Sequence, residues 1–199
     1  MKHRMLLILL TLSVLSKIQA QTEVVSSDYR FPLTISVQFH GFTMPFKNLS
    51  SNFRNVGLGI GTELSLNSAN TWIQQVQAVW YRNKVVGNGL LIYSQNVWRP
   101  TLESSFAEVK FGAGYLYSFR PSTSYESVNG KWSSKGKNGK GMLALPLGVS
   151  VGSYSFLETS SFAPFVSYQF MLVKGYNTSI PIVPQTLLQT GVLMGEKKN

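Results

Sequence analysis

The hydrogen-bonding and ionisable side chains of this chain recur at every second residue of otherwise apolar stretches. Gln38 and His40 bracket Phe39, Gln75 and Gln77 bracket Val76, Glu108 and Lys110 bracket Val109, and Glu63, Gln169 and Gln189 sit in similar company. A period of two marks β-strands with unlike faces, so these groups share one side of a sheet. Their chemistry is limited. His40 is the only histidine after His3, so beyond residue 20 a multi-histidine metal site is excluded and a single serine–histidine pairing is all that nucleophilic catalysis could draw on. There is no cysteine, hence no disulfide. Glutamines, two glutamates and a lysine turned toward one another would form a packed polar network, with Lys110 offsetting one of the two carboxylates. A second group, Arg120, Lys131, Trp132, Lys135, Lys137 and Lys140, crowds one segment that holds a single acid, Glu126. It could bind phosphates, acidic polysaccharide or a protein; the plainer reading is that its lysines keep a solvated loop soluble.

The element that positions Glu108 and Lys110 runs from Ala107 to Phe119. Its odd positions are all apolar or aromatic, while its even positions hold Glu108, Lys110, Gly112, Gly114, Leu116 and Ser118. Such a strand spans about 40 Å at roughly 3.3 Å per residue, and tilted by about 45° it would cross a hydrocarbon core of about 30 Å. The face carrying ionisable groups also carries the glycines, which suits a tight polar interior with the greasy face turned to lipid. Seven further strands are expected at 33–43, 55–66, 71–81, 89–97, 142–153, 162–173 and 185–194, with the faces of 89–97 left open because Leu90, Leu91 and Ile92 are contiguous. Gly57, Gly59 and Gly61 form a small-residue strand face rather than a phosphate loop, since no helix follows them. Pro146 is expected to mark a bulge, and 120–141 an irregular, mobile, basic loop.

Composition points the same way. Of 199 residues only 13% are charged and 13% are aromatic, poor in charge for a soluble domain. Lys2, His3 and Arg4 followed by an apolar run from Met5 to Leu15 and by Ile18-Gln19-Ala20 read as a cleaved export signal over 1–20. Its removal takes away Lys2, Arg4 and Lys17, leaving 15 basic and 8 acidic residues, a net charge of +7 in place of +10. Export argues against nucleic acid as the partner of that charge. The expected organisation is a lead-in at 21–32, a barrel at 33–194 and a polar tail at 195–199. Connections at 44–54, 82–88, 120–141 and 174–184 are longer on the whole than those at 67–70, 98–104 and 154–161, as external loops and periplasmic turns are in transmembrane barrels. Trp72, Trp98, Tyr154 and Phe162 would form one aromatic girdle and Trp80, Tyr81, Tyr117 and Phe119 the other.

Runs such as Gly57-Leu58-Gly59-Ile60-Gly61-Thr62-Glu63 and Leu145-Pro146-Leu147-Gly148-Val149-Ser150-Val151-Gly152 resemble strands of the small outer-membrane β-barrels of Gram-negative bacteria, the broad family with OmpX-like, OmpW-like and PorT-like members. Members commonly end on an aromatic residue, whereas this chain ends Met194-Gly195-Glu196-Lys197-Lys198-Asn199. The resemblance implies an all-β fold, a transmembrane antiparallel up-and-down barrel of about eight strands. It implies an outer-membrane location with periplasmic termini, and contact with outer-membrane lipid and lipopolysaccharide. An envelope protein is a further candidate partner. The expected role is non-enzymatic, a scaffold or binding protein acting through external loops, with no metal and no cofactor. The competing readings are a small channel, a barrel enzyme modifying lipid A acyl chains with His40 and a serine, and a soluble lipocalin-like lipid carrier. The carrier would need apolar residues inside and polar ones outside.

Overall fold

A computed structural model describes residues 29–42, 53, 55–84, 86–102, 105–136, 139–154, 162–176 and 181–197. The expected export segment, most of the lead-in and all but Phe53 of the connection at 44–54 lie outside the described residues. Among the described residues eleven strands follow in chain order: β1 Tyr29–Gly41, β2 Val56–Ser65, β3 Trp72–Tyr81, β4 Gly89–Trp98, β5 Thr101–Leu102, β6 Ser105–Ser118, β7 Ser124–Val128, β8 Lys131–Gly136, β9 Lys140–Ser153, β10 Phe162–Lys174 and β11 Ile182–Lys197. No helix among the described residues is long and apolar enough to cross a membrane.

Eight long strands make one closed antiparallel ring in the order β4-β3-β2-β1-β11-β10-β9-β6, with β6 returning to β4 and two-residue β5 added on β6. The closing pair joins the first and last of these strands, Leu33 opposite Met194 through Gly41 opposite Thr186. Alternation fixes the faces. In β2, Val56, Leu58, Ile60 and Leu64 are exposed while Gly57, Gly59 and Glu63 are buried. In β4 the same parity buries Leu91, Tyr93, Gln95 and Val97 and turns Leu90, Ile92 and Trp98 outward, which settles the strand whose faces contiguous leucines left open.

Several details differ from the sequence reading, each for a physical reason. β1 starts within the expected lead-in, and its register on β11 shifts between Arg30 and Leu33, where Pro32 has no N–H to give the ladder. Tyr29 and Arg30 in turn face Lys197 and Glu196, so β11 runs on through most of the expected tail. Pro146 makes no bulge: Phe111 faces Leu147 and Gly114 faces Ala144, so the register on β6 is kept across it. Tyr81 is buried and stacks on His40, ring centroids 4.0 Å apart, and so does not belong to the outer girdle. The segment 120–141 is not irregular throughout but carries a separate two-stranded ribbon, β7 on β8, turning at Asn129 and Gly130, both at positive φ. Asn-Gly is the favoured pair for such a tight hairpin turn.

The barrel core divides along its axis. Toward the ribbon end, Val79, Leu91, Leu116, Met142, Ala144, Met171, Val173 and Leu187 form one buried apolar cluster with Tyr81 and Tyr93. Glycines on the inner face make room for this filling. At Gly112 a Cβ would meet the Ser94 carbonyl oxygen and lie 2.7 Å from the Gln95 Cα, backbone that cannot swing aside. Gly112→Val is therefore expected to destabilise the folded barrel by about 1–3 kcal/mol, read as a lowered urea midpoint in micelles; an unchanged midpoint would mean that β6 and β4 can separate freely here.

Candidate functional site

Two places gather the candidate residues. The first lies inside the barrel, at the end of the short turns. Glu63 on β2 and Glu108 and Lys110 on β6 point inward by strand parity, and Gln75 reaches across from β3. Arg99, just beyond β4, completes them. Its Nη2 donates to Glu63 at 2.7 Å and 2.8 Å, and its Nε donates to Glu108 Oε1 at 2.5 Å. Lys110 Nζ lies 2.7 Å from Glu108 Oε2, Gln75 Nε2 donates to Glu63 at 2.6 Å, and the Ser150 hydroxyl donates to Glu108. Each cation also sits over a ring, Arg99 over Phe106 at 4.9 Å and Lys110 over Phe165 at 5.6 Å.

Two cations and two anions, all nearly excluded from solvent, cancel as a group. Pairing is what makes burial tolerable, because an isolated buried charge costs several kcal/mol. The sequence reading brought together Glu63, Gln75, Glu108 and Lys110 and missed Arg99, which stands in a turn beside Pro100. The signal was present, since the inward parity of β4 continues through Val97 to Arg99. The Arg99 amide donates to the Thr71 carbonyl at 2.8 Å, stitching two neighbouring turns and aiming the side chain back into the barrel.

Above this cluster lies a belt of amides around one phenol. Tyr93 donates to Gln77 Oε1 at 2.5 Å and accepts from Gln189 at 3.1 Å and Gln169 at 3.3 Å. Toward the ribbon end, His40 is held between Gln185 Oε1 at 3.0 Å and Asn83 Nδ2 at 3.1 Å. The Asn83 amide is oriented by its own turn, its Oδ1 accepting from the Val86 N–H at 3.1 Å. That leaves Nδ2 to donate to His40 Nδ1, so His40 is neutral with its proton on Nε2, directed at Gln185. Both ring nitrogens are engaged by amides, not by a serine, so this histidine is arranged as a clasp between β1, β11 and the β3–β4 connection.

The second place is the ribbon end. Arg120, Lys131 and Lys140 are exposed there, Lys135 lies on β8, and Lys137 falls outside the described residues. On the ribbon, Tyr125 opposite Ser134 and Trp132 opposite Ser127 share one face, with 63% and 75% of their surface exposed. Among the described residues no group of three histidines, cysteines or carboxylates could hold a metal ion.

Removing one partner from the interior cluster strands the others. Arg99→Leu is expected to cost about 3–5 kcal/mol, whereas Lys110→Met, which leaves Glu108 paired with Arg99, should cost less. Urea unfolding in micelles checks this ordering, and equal effects would mean that the four charges do not act as one cluster.

No protein-family model and no curated protein matches the sequence. Solved structures do match in fold. Neisserial surface protein A superposes with a TM-score of 0.55 at 11% identity, over 84% of this chain and 97% of that one. The N-terminal β-barrel domain of Pseudomonas aeruginosa OprF gives 0.49 at 10% identity over 84% and 99%, and Ail, the attachment invasion locus protein of Yersinia pestis, gives 0.46 at 15% over 83% and 97%. The comparison rests on the first of these, and at such identity the likeness is one of architecture: this chain is a closed eight-stranded antiparallel β-barrel.

Proposed function

We propose that this protein is an integral outer-membrane barrel that acts, without catalysis, as an envelope scaffold or binding protein through its ribbon end. The observation that carries the reading is the reversal of the usual burial pattern. Leu58, Ile60, Leu143 and Val151 are each more than half exposed on the outer face, while Glu63, Arg99, Glu108 and Lys110 are buried inside. A soluble lipid carrier requires the opposite arrangement, and water would not tolerate so large an apolar band. Lipid would. Trp72 and Trp98 at the turn end and Trp80 and Phe119 at the ribbon end are exposed where interfacial girdles belong.

Against conduction stands the filling of the bore, where Tyr81, Tyr93, Leu91, Leu116, Met171 and Leu187 are fully buried. Against acyl chemistry stands His40, with both ring nitrogens occupied by Gln185 and Asn83. The basic ribbon end supports an anionic ligand, with lipopolysaccharide phosphates the nearest source; an envelope protein is the other partner it could take. The ribbon then faces outward and the short turns and both termini face the periplasm. Nucleic acid has no place in this reading.

The experiment folds residues 21–199 into detergent micelles and compares unboiled and boiled mobility on a gel. A faster, β-rich unboiled band is expected, and ready folding as a soluble monomer in plain buffer would overturn the assignment. On the folded protein, Lys131→Ser with Lys140→Ser should weaken lipopolysaccharide binding roughly tenfold or more, since each basic residue near an anionic surface contributes about 1 kcal/mol. Unchanged binding would remove the ribbon end as the site.

A further inference from the structure

Among the described residues the outer face of the barrel, away from the strand ends, is apolar, aromatic or small almost everywhere, and its amides are confined to one place. On β3 and β4, Gln74 faces Asn96 directly, and Ser94 lies one outward position further along β4, facing Val76. Gln74 and Asn96 are the only side-chain amides on the outward positions of the eight long strands among the described residues. They sit one step inside Trp72 and Trp98, themselves opposite one another. Two residues of strand are about 7 Å, so at a tilt of about 45° the amides lie roughly 5 Å below the tryptophans, and Ser94 roughly twice as deep. Gln74 Nε2 donates to the Ser94 hydroxyl at 2.5 Å and that hydroxyl reaches the Gln75 carbonyl at 3.4 Å, but no hydrogen bond engages the Asn96 amide among the described residues. Acyl chains offer neither donors nor acceptors, so this patch is under-satisfied when it faces lipid.

We infer that the β3–β4 face is an intramembrane contact between two copies of this chain. The inference rests on the membrane reading above. A second copy is the occupant that fits, for two reasons. Two barrels inserted in the same direction are related by a two-fold axis along the membrane normal, and rotation about that axis preserves depth, so the patch meets its own copy at its own level. Amides also carry a donor and an acceptor each, so Gln74 and Asn96 of one copy are complementary to the same residues of the other. Leu64 opposite Gln74, Phe111 opposite Asn96, and Trp72 and Trp98 give the amides an apolar rim from which lipid can be displaced.

The test uses the folded protein in phosphatidylcholine vesicles, after the unboiled gel band has established insertion. The chain has no native cysteine, so Val76→Cys, beside the patch, and Val166→Cys, on β10 away from it, each give a single reactive site. With an oxidant, Val76→Cys is expected to yield a disulfide-linked dimer as the main product and Val166→Cys only a trace. In donor–acceptor energy transfer between labelled copies, Gln74→Leu with Asn96→Leu should raise the protein-to-lipid ratio needed for association at least tenfold while leaving the heat-modifiable band intact. Equal cross-linking at both positions, transfer no greater than random proximity gives, or undiminished association of the double leucine variant would overturn the inference, leaving Gln74 and Asn96 as groups hydrated from the interface or covered by a different protein. Failure to insert at all would overturn the membrane reading and this inference together.

Discussion

Closure of the ring is the constraint on which everything else depends. A strand in hydrocarbon has no water to satisfy its N–H and C=O groups, so each must bond within the protein and no sheet edge can be left open. Pairing β1 with β11 over most of their length provides this. Once the ring is closed, the interior volume is set by eight strands, and it is small enough that side chains fill it. The glycines of β2 and β6 and the pairing of Arg99 with Glu63 and Glu108 are consequences of that narrow bore: bulky and charged groups face each other across it and must fit and cancel.

The interior is stratified accordingly. Ions cluster at the end of the short turns, amides surround Tyr93 in the middle, and aliphatic side chains close the ribbon end behind His40 and Tyr81. Each layer is held differently, by charge pairing, by hydrogen bonds shared at Tyr93 and by packing, and together they join strands across the bore. On the reading proposed above, such a barrel holds a shape, and variation in what it recognises would fall to the ribbon and connections above it.

Much of this was legible in the sequence because period two survives wherever one face meets lipid and the other a polar interior. Glu63, Glu108 and Lys110 were identifiable as inward residues on that ground alone. Where both faces are apolar the pattern fades, which is why β4 had no readable orientation and why the aliphatic layer, with Leu91, Leu116 and Leu187 inside, was not anticipated. Tyr81 could not be told from a girdle residue because an aromatic at a strand end serves either role. Arg99 and the β7–β8 ribbon were missed through attention to local composition: proline beside one, and serine and glycine around the other, read as irregular chain. Strand parity and the Asn129-Gly130 turn carried the better information.

The central claim, an apolar outer face in contact with lipid around a charged core, is tested most directly by tryptophan quenching. The four tryptophans divide cleanly, with Trp72, Trp80 and Trp98 on the outer face of the barrel and Trp132 on the ribbon. In vesicles containing brominated phospholipid, single-tryptophan variants retaining Trp72, Trp80 or Trp98 should be strongly quenched, and one retaining Trp132 should respond instead to a water-soluble quencher. Equal access of the aqueous quencher to all four would contradict the account.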